Sequence, residues 1–315
     1  MNLRYLWQAL PFSCLLLASC SGDSGDGPSS TPTPTSTPTP TPTPAASTYV
    51  AASDFTRDRT FTAAGFRISV DRSAGTSAPD IRVDPEGATL GFDFAVATRT
   101  YVARYLAENI TAMTQAASAD PGYDQYTGTN SSFIRSPLII GASANGVLIG
   151  STYVGIAKWN DNNGTGLSNL GTRSTLRQLL FGARTSSGDL PLAGAPTFSG
   201  QSDISGPGGG SGGNASINLD YAARTINGTT VFSPPSTGGT GSSGQPAPAP
   251  ETITFAGSLD PATGRVSGTA IHVPTGATGK FEGALYGPAA LEAAILFVIQ
   301  RADNGYYYGS VAGRR

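Results

Sequence analysis

From residue 176 onward the chain is a succession of short apolar runs, recurring roughly every ten residues. Inside several runs the apolar residues alternate with polar ones, as in Ile217 and Leu219, or Ile253 and Phe255. A period of two marks a strand with one buried face. The runs predict strands over residues 177–184, 196–203, 215–221, 224–232, 251–259, 265–273, 277–286, 291–301 and 305–313. Between them stand "TSSGD", "AART", "DPATG", "PTG", "YGP" and "ADNG", rich in the residues that turns require. About eight or nine such strands predict a small antiparallel barrel or sandwich.

Upstream the pattern is weaker. "ATLGFDF" (88–94) alternates as a strand, and 99–105 is its expected hairpin partner across "AVAT". A helix competes over 98–117, because Val102, Leu106, Ile110 and Met113 recur at helical spacing. The strand is favoured, with a short helix after Ala107. Residues 136–149 and 152–159 are apolar and interrupted by Gly141, Gly146 and Gly155. Two inserts break the later rhythm. "SGPGGGSGGN" (205–214) is expected to be flexible, and 233–250 a long disordered loop with little binding chemistry.

The first residues read as an export signal rather than as fold. Arg4 precedes an apolar stretch over 6–18, broken by Pro11, that ends in "LASC". That tetrad resembles the lipobox of bacterial lipoproteins, which implies cleavage before Cys20 and acylation of it. Ser21 follows, and the absence of Asp there implies sorting to the outer membrane. Residues 20–48 then form a Thr-Pro-rich linker with nothing to bury, extended as polyproline II. Its 31–44 segment alone would reach about 40 Å. The only cysteines are Cys14 and Cys20, so no disulfide or thiolate metal site is expected in the folded part. The expected organisation is signal peptide 1–19, linker 20–48, a β-rich domain 49–175 and a barrel 176–315.

Composition narrows the class further. There are 41 glycines, 13% charged residues and a net charge of −2. This suits an all-β protein and gives no electrostatic reason to expect nucleic acid as a partner. A transmembrane barrel would need lipid-facing apolar rows in most strands. Only 291–299 comes near, so a barrel outside the bilayer is expected.

Several phrases of the last third resemble the C-terminal barrel of transferrin-binding protein B-like surface lipoproteins. "LDYAARTINGT" (219–229) resembles their Asp-Phe-x-x-(Arg/Lys)-Thr-(Val/Ile)-x-Gly strand pair. "LFGARTSSGDLPLAGAPTFSG" (180–200) resembles the entry to the barrel, with Leu190-Pro191 in place of Met-Pro. "GKFEGALYGPAALEAAILFVI" (279–299) resembles a Gly-x-Phe-x-Gly strand, a Tyr-Gly-Pro corner and an Ala-x-Glu strand. "GYYYGSVAGRR" (305–315) resembles the closing strand. The resemblance covers about residues 180–315. It implies an eight-stranded antiparallel barrel preceded by a smaller β handle. It further implies a lipid-anchored cell-surface protein that binds a protein or small solute such as haem or an iron carrier, and a monomer is expected. A structural or adhesive surface lipoprotein is the alternative. The sequence departs at Ala294-Ile295, where the family has a glycine pair.

Candidate chemistry is sparse. Cys20 is the expected lipidation site. The lone histidine, His272, is expected in a surface or capping role rather than as a ligand. Tyr306, Tyr307 and Tyr308 are expected to alternate across a strand. Asp161, Asn163, Thr165 and Gly166 follow calcium-loop spacing, but Thr172 stands where a bidentate Glu belongs, so a polar turn is expected. "GDSG" (22–25) and "GGSGG" (209–213) imitate hydrolase motifs without a strand-to-helix turn or a histidine partner. Asn109 and Asn227 head Asn-x-Ser/Thr triplets that mean little if the host is bacterial. No catalytic residue, cofactor or metal is expected, and the sequence names no ligand-binding residue.

Overall fold

The structure is a computed structural model. It describes residues 49–70, 80–84, 90–98, 100–105, 108–109, 124–127, 131–142, 148–162, 174–206, 209–234, 249–303 and 305–315. The fold is all-β. The first nine strands are β1 (Arg59–Val70), β2 (Asp80–Asp84), β3 (Gly91–Ala95), β4 (Thr100–Tyr105), β5 (Glu108–Asn109), β6 (Asp124–Thr127), β7 (Ser131–Ala142), β8 (Leu148–Asn162) and β9 (Ser174–Gly182). After a single 3-10 turn at Ser187–Asp189 come β10 (Thr197–Gly206), β11 (Gly209–Asp220), β12 (Thr225–Phe232) and β13 (Glu251–Asp260). The last four are β14 (Arg265–His272), β15 (Ala277–Tyr286), β16 (Glu292–Gln300) and β17 (Tyr306–Arg314). Among the described residues no helix is long and apolar enough to cross a membrane.

β10 to β17 form a closed antiparallel barrel in which every strand pairs with the next and β17 returns to β10. The other nine strands make one sheet, ordered β5-β4-β3-β1-β9-β8-β7-β6, with β2 also on β1. β1 organises that sheet. Its first residues pair with β3, its later ones with β2, and its second half with β9 along the other edge. Its signal is plain in hindsight, since Phe66, Ile68 and Val70 alternate. It follows the linker so closely that the strand pattern read from residue 88 onward passes it by.

The two faces of the first sheet bury different things. One face gathers Phe61, Phe92, Phe94, Tyr101 and Phe181 in a core of its own. Phe92 and Phe181 stack there at 4.2 Å between ring centroids. The opposite face sends Phe66, Ile68, Val154, Ile156 and Leu180 against the outside of the barrel, onto Ala294, Leu296 and Val298. Every residue of β16 from Glu292 to Ile299 is therefore buried. Ile295, Phe297 and Ile299 fill the barrel while Leu296 and Val298 meet the sheet. Full burial of one such side chain stabilises by about 1.5–3 kcal/mol. The two-sided apolarity of 291–299 is explained by this sheet covering the strand.

Several expectations are corrected. The strand at 177–184 is β9, and it belongs to the first sheet, paired with β1 and β8. The barrel itself starts at Thr197. Periodicity could not show this, because Leu179, Leu180 and Phe181 make a continuous apolar run buried on both faces, which does not say which sheet the strand joins. "SGPGGGSGGN" is no flexible insert. Gly206 pairs with Gly209, and the glycines run on as the ladder of β10 and β11. Ladder bonds are made by backbone, so side chains are not needed to hold them. The helix competing over 98–117 is absent from its described part. β3 and β4 form the expected hairpin, with Phe94 opposite Tyr101, and Glu108–Asn109 is a strand. Residues 110–123, 235–248 and the linker lie outside the described residues.

Candidate functional site

Two places bring side chains together from distant parts of the chain. The first is the end of the barrel where β12 stops and β13 starts. Period-two alternation points Phe232, Glu251, His272 and Tyr307 inward there. β17 lies across the barrel from β13 and β14, and Tyr307 spans that width. Its hydroxyl donates to Glu251 Oε2 at 2.9 Å. His272 Nε2 lies 2.9 Å from the same oxygen. A carboxylate only accepts, so Nε2 carries the hydrogen of that bond. Nδ1 meets the Thr275 hydroxyl at 2.7 Å, within the turn that follows β14. The imidazole and the Tyr307 ring are 4.4 Å apart. Arg301 sits over the outer side of that ring, 5.8 Å from its centroid.

His272 is only 1% exposed, so of the expected surface or capping role the surface part is corrected and the capping part remains. It caps the 272–276 turn from inside the barrel. Burial is the main cause that lifts the Tyr307 phenol above its ordinary range. The hydrogen bond and charge of Glu251 add to this, and Arg301 opposes it. Tyr307 thus serves as a donor. Both histidine nitrogens are engaged, one with Glu251 and the other with Thr275. The arrangement is a polar plug that satisfies the barrel end. At the other end Leu190 and Tyr221 complete the apolar filling.

The second place is the seam between sheet and barrel. Glu292 is fully buried. Its two carboxylate oxygens accept from the backbone N–H of Thr152 at 2.7 Å and of Tyr153 at 2.8 Å. Next to it, Tyr286-Gly287-Pro288 turns the chain between β15 and β16, as expected. Gly287 has φ of +75°, and a Cβ there would lie 2.3 Å from the Tyr153 ring, so glycine is required twice over. Thr185 donates to the Gly287 carbonyl at 2.8 Å. Lys158 of the sheet pairs with Asp203 of the barrel.

The departure at Ala294-Ile295 has a direct answer. Ile295 pairs with Gly283 on one side and Val311 on the other, and the barrel closes there without interruption. The close approach is made from the opposite strand. A Cβ on Gly283 would lie 2.0 Å from the Ala294 carbonyl oxygen. Tyr307 points into the barrel, and Tyr306 and Tyr308 pack on the seam side, as their alternation predicted. Asp161 lies in β8 opposite Thr175, while Asn163, Thr165, Gly166 and Thr172 lie outside the described residues. So do Cys20 and the "GDSG" stretch. Asn227 is on the outer wall of β12, and Asn109 is in β5. Among the described residues no three His, Cys, Asp or Glu side chains converge on a metal-sized space. Sequence reading missed Glu251 and Glu292 as interaction centres. Each is an acidic residue opening a strand, a signal shared by many solvated positions.

No family model and no curated protein matches the chain. Among solved structures it is similar to a transferrin-binding protein B mutant from Haemophilus parasuis, at 11% identity. That match covers 82% of this chain and 76% of the other, with a TM-score of 0.33. It is also similar to the apo haemoglobin receptor HpuA from Kingella denitrificans, at 13% identity, over 86% of this chain and 91% of that one, with a TM-score of 0.39. At such identities function does not transfer with shape. The strand pairing stands by itself, and the barrel has the architecture that the resemblance implied.

Proposed function

We propose that this chain is a lipid-anchored surface protein, fixed to the outer membrane through Cys20, whose barrel is a scaffold for binding rather than a container. The observation that carries this reading is the filled barrel. Its interior is occupied from Leu190 to Val311 by one continuous buried core, with the Glu251–His272–Tyr307 plug at one end. A ligand is therefore met on the outside, by loops or by the sheet. Haem and iron carriers are the first ligands to try, as the resemblance suggests. The full chain in detergent should retain one of them saturably in pull-down. Failure with haem, iron carriers and serum proteins alike would remove the solute-acquisition reading. Incorporation of a palmitate analogue, lost in Cys20→Ala, tests the anchor.

The adhesive alternative is favoured by a separate observation. The outer wall of β10 to β14 carries mostly polar side chains, Asn218, Asn227 and Thr269 among them, with Asp203, Asp220, Asp260 and Arg265 toward its ends, which suits contact over an extended surface better than capture of a compact solute.

A further inference from the structure

We propose that the end of the barrel carrying Leu192 is a docking surface for a phospholipid bilayer. The strand registers bring several connections to that end. Thr197, where β10 begins, pairs with Asn218, Asp220 with Thr225, and Asp260 with Arg265. The segments 190–196, 221–224 and 261–264 therefore share it. They are also packed together. The Leu219 and Tyr221 N–H groups donate to the Pro196 and Gly194 carbonyls at 3.0 and 3.1 Å. A Cβ on Gly264 would lie 3.7 Å from the Leu190 side chain. Turn tips ordinarily carry Gly, Asn, Asp or Ser, but these are apolar. Leu192 is 90% exposed, more than any other large apolar side chain among the described residues. Ala193 and Ala195 in its own loop, Ala222 and Ala223 in the second and Ala262 in the third are exposed as well. The opposite end of the barrel has a polar tip instead, where Arg301 pairs with Asp303.

The chain that leads to the proposed anchor enters the fold at this same end. Tyr49, the first described residue, donates its hydroxyl to Asp189 Oδ2 at 2.7 Å and accepts from the Ser186 N–H at 2.9 Å. Asp189 closes the 3-10 turn that runs straight into the Leu192 loop. A bilayer met here is met where the tether arrives. One met at the opposite end would lie a strand length away, about 33 Å for the 10 residues of β13. Arginines border the tips. Arg224 and Arg314 are exposed, while Arg184 and Arg315 brace turns by donating to the Thr263 and Ala289 carbonyls. The acidic neighbours are held by their own turns. Asp189 accepts from Tyr49, Asp220 from the Ala223 N–H, and Asp260 from the Ala262 N–H and the Thr263 hydroxyl. Arg265 faces Glu282. Guanidinium groups beside a protruding leucine match lipid phosphates above an apolar boundary. A bilayer asks for no fitted pocket, so one leucine among small apolar residues suffices for contact. A protein interface is instead centred on large anchors such as Trp or Tyr, and Tyr221, the aromatic residue of these tips, is buried. Moving one leucine out of water shifts an equilibrium by about tenfold or more. A tether raises the local concentration to roughly millimolar, where so small a gain is enough.

This docking rests on the anchored reading above, and the two are tested apart. The full chain is reconstituted in vesicles of phosphatidylethanolamine and phosphatidylglycerol, carrying a thiol-linked dye at Ala222→Cys or, at the opposite end, at Ala302→Cys. Both positions are exposed. On the anchored reading Cys14 is removed with the signal and Cys20 is occupied by lipid, so the introduced thiol takes the dye. Quenchers borne on the lipids should quench the dye at 222 at least about twofold more than the dye at 302. Leu192→Asp should bring the quenching at 222 down to the level at 302, and Leu192→Ser, the milder variant if folded yield falls, should act in the same direction. Equal quenching at the two positions, or quenching at 222 that ignores both Leu192 variants, overturns the proposal. Equal lipid quenching with the dye at 222 shielded from aqueous iodide would assign the face to a protein partner or a second copy, and overturns it as well. Palmitate incorporation is scored on the same preparation. Protein without palmitate removes the anchored reading and the docking with it, whereas labelled protein with equal quenching removes the docking alone.

Discussion

The sheet and the barrel are made of the same kind of strand but assembled in opposite ways. In the barrel every strand pairs with its sequence neighbour, and only the β10–β17 closure joins distant segments. In the sheet the central contact is β1 with β9, which sets Ala63 opposite Phe181 and Val70 opposite Ser174. The barrel is thus a series of local hairpins with one long-range stitch. The sheet depends on bringing together strands that the chain keeps far apart, which costs loop-closure entropy before any contact forms. The seam has a further asymmetry. β16 is buried on both faces because the sheet covers it, whereas β11 and β12 are buried on one face and carry polar side chains such as Asn218 and Asn227 on the other.

The comparison can be broken hardest at β16. Phe297→Ala empties the barrel side of that strand and should cost about 4 kcal/mol, lowering the melting temperature of the whole chain. Leu296→Ala, on the seam side, should instead loosen the sheet first. Amide exchange would show protection lost in β1, β8 and β9 ahead of β12 and β13. If both variants lose protection everywhere at once, the two regions are one cooperative unit. Gly283→Val forces a side chain against the Ala294 carbonyl and should cost about 3 kcal/mol, read as a drop in denaturation midpoint.

Glu292→Gln keeps the shape and removes the charge that receives two backbone N–H groups. A loss of about 2 kcal/mol is expected, with exchange rising at Thr152 and Tyr153 before the barrel opens. A smaller effect is expected at the plug. Tyr307→Phe deletes one buried hydrogen bond, worth about 1 kcal/mol. Burial raises the phenols of Tyr221, Tyr307 and Tyr308 above the ordinary value of 10.0. A raised folded-state value means stability that is fully present below pH 10 and lost as pH rises through the folded values. Tyr307→Phe should make this alkaline loss shallower, as followed by thermal melts in a pH series. The smallest change is expected for Lys158→Ala. This partly exposed pair with Asp203 should contribute at most about 1 kcal/mol, and its effect should vanish at high salt.

Much of the barrel was legible because its information is local. Strands at 224–232, 251–259, 265–273 and 277–286 match β12 to β15 within a residue at either end. Each is bounded by a turn whose residues state its geometry. Asp260, in "DPATG", accepts from Ala262 N–H and the Thr263 hydroxyl. The tyrosine alternation and the Tyr-Gly-Pro corner were legible for the same reason. The plug and the seam were not. His272, Glu251 and Tyr307 meet only because the eight strands close, and nothing in their own neighbourhoods marks them as partners. Glu292 reads as one more charge at a strand start until Thr152 and Tyr153 of β8 are placed upon it.

The sequence by itself determined the strands of the barrel, their inward and outward faces and their hairpin turns, because period-two patterning and turn chemistry act over a few residues. Tertiary structure alone decided that β9 joins the first sheet, that 292–299 is buried by protein on both sides, and that the glycine-rich residues 205–206 and 209–214 are ladder rather than linker. It also set Ser199, Ser216, Thr229 and Thr254, from four strands, in register with one another. Each of these depends on pairing and packing between segments far apart in the chain, which local patterning cannot encode.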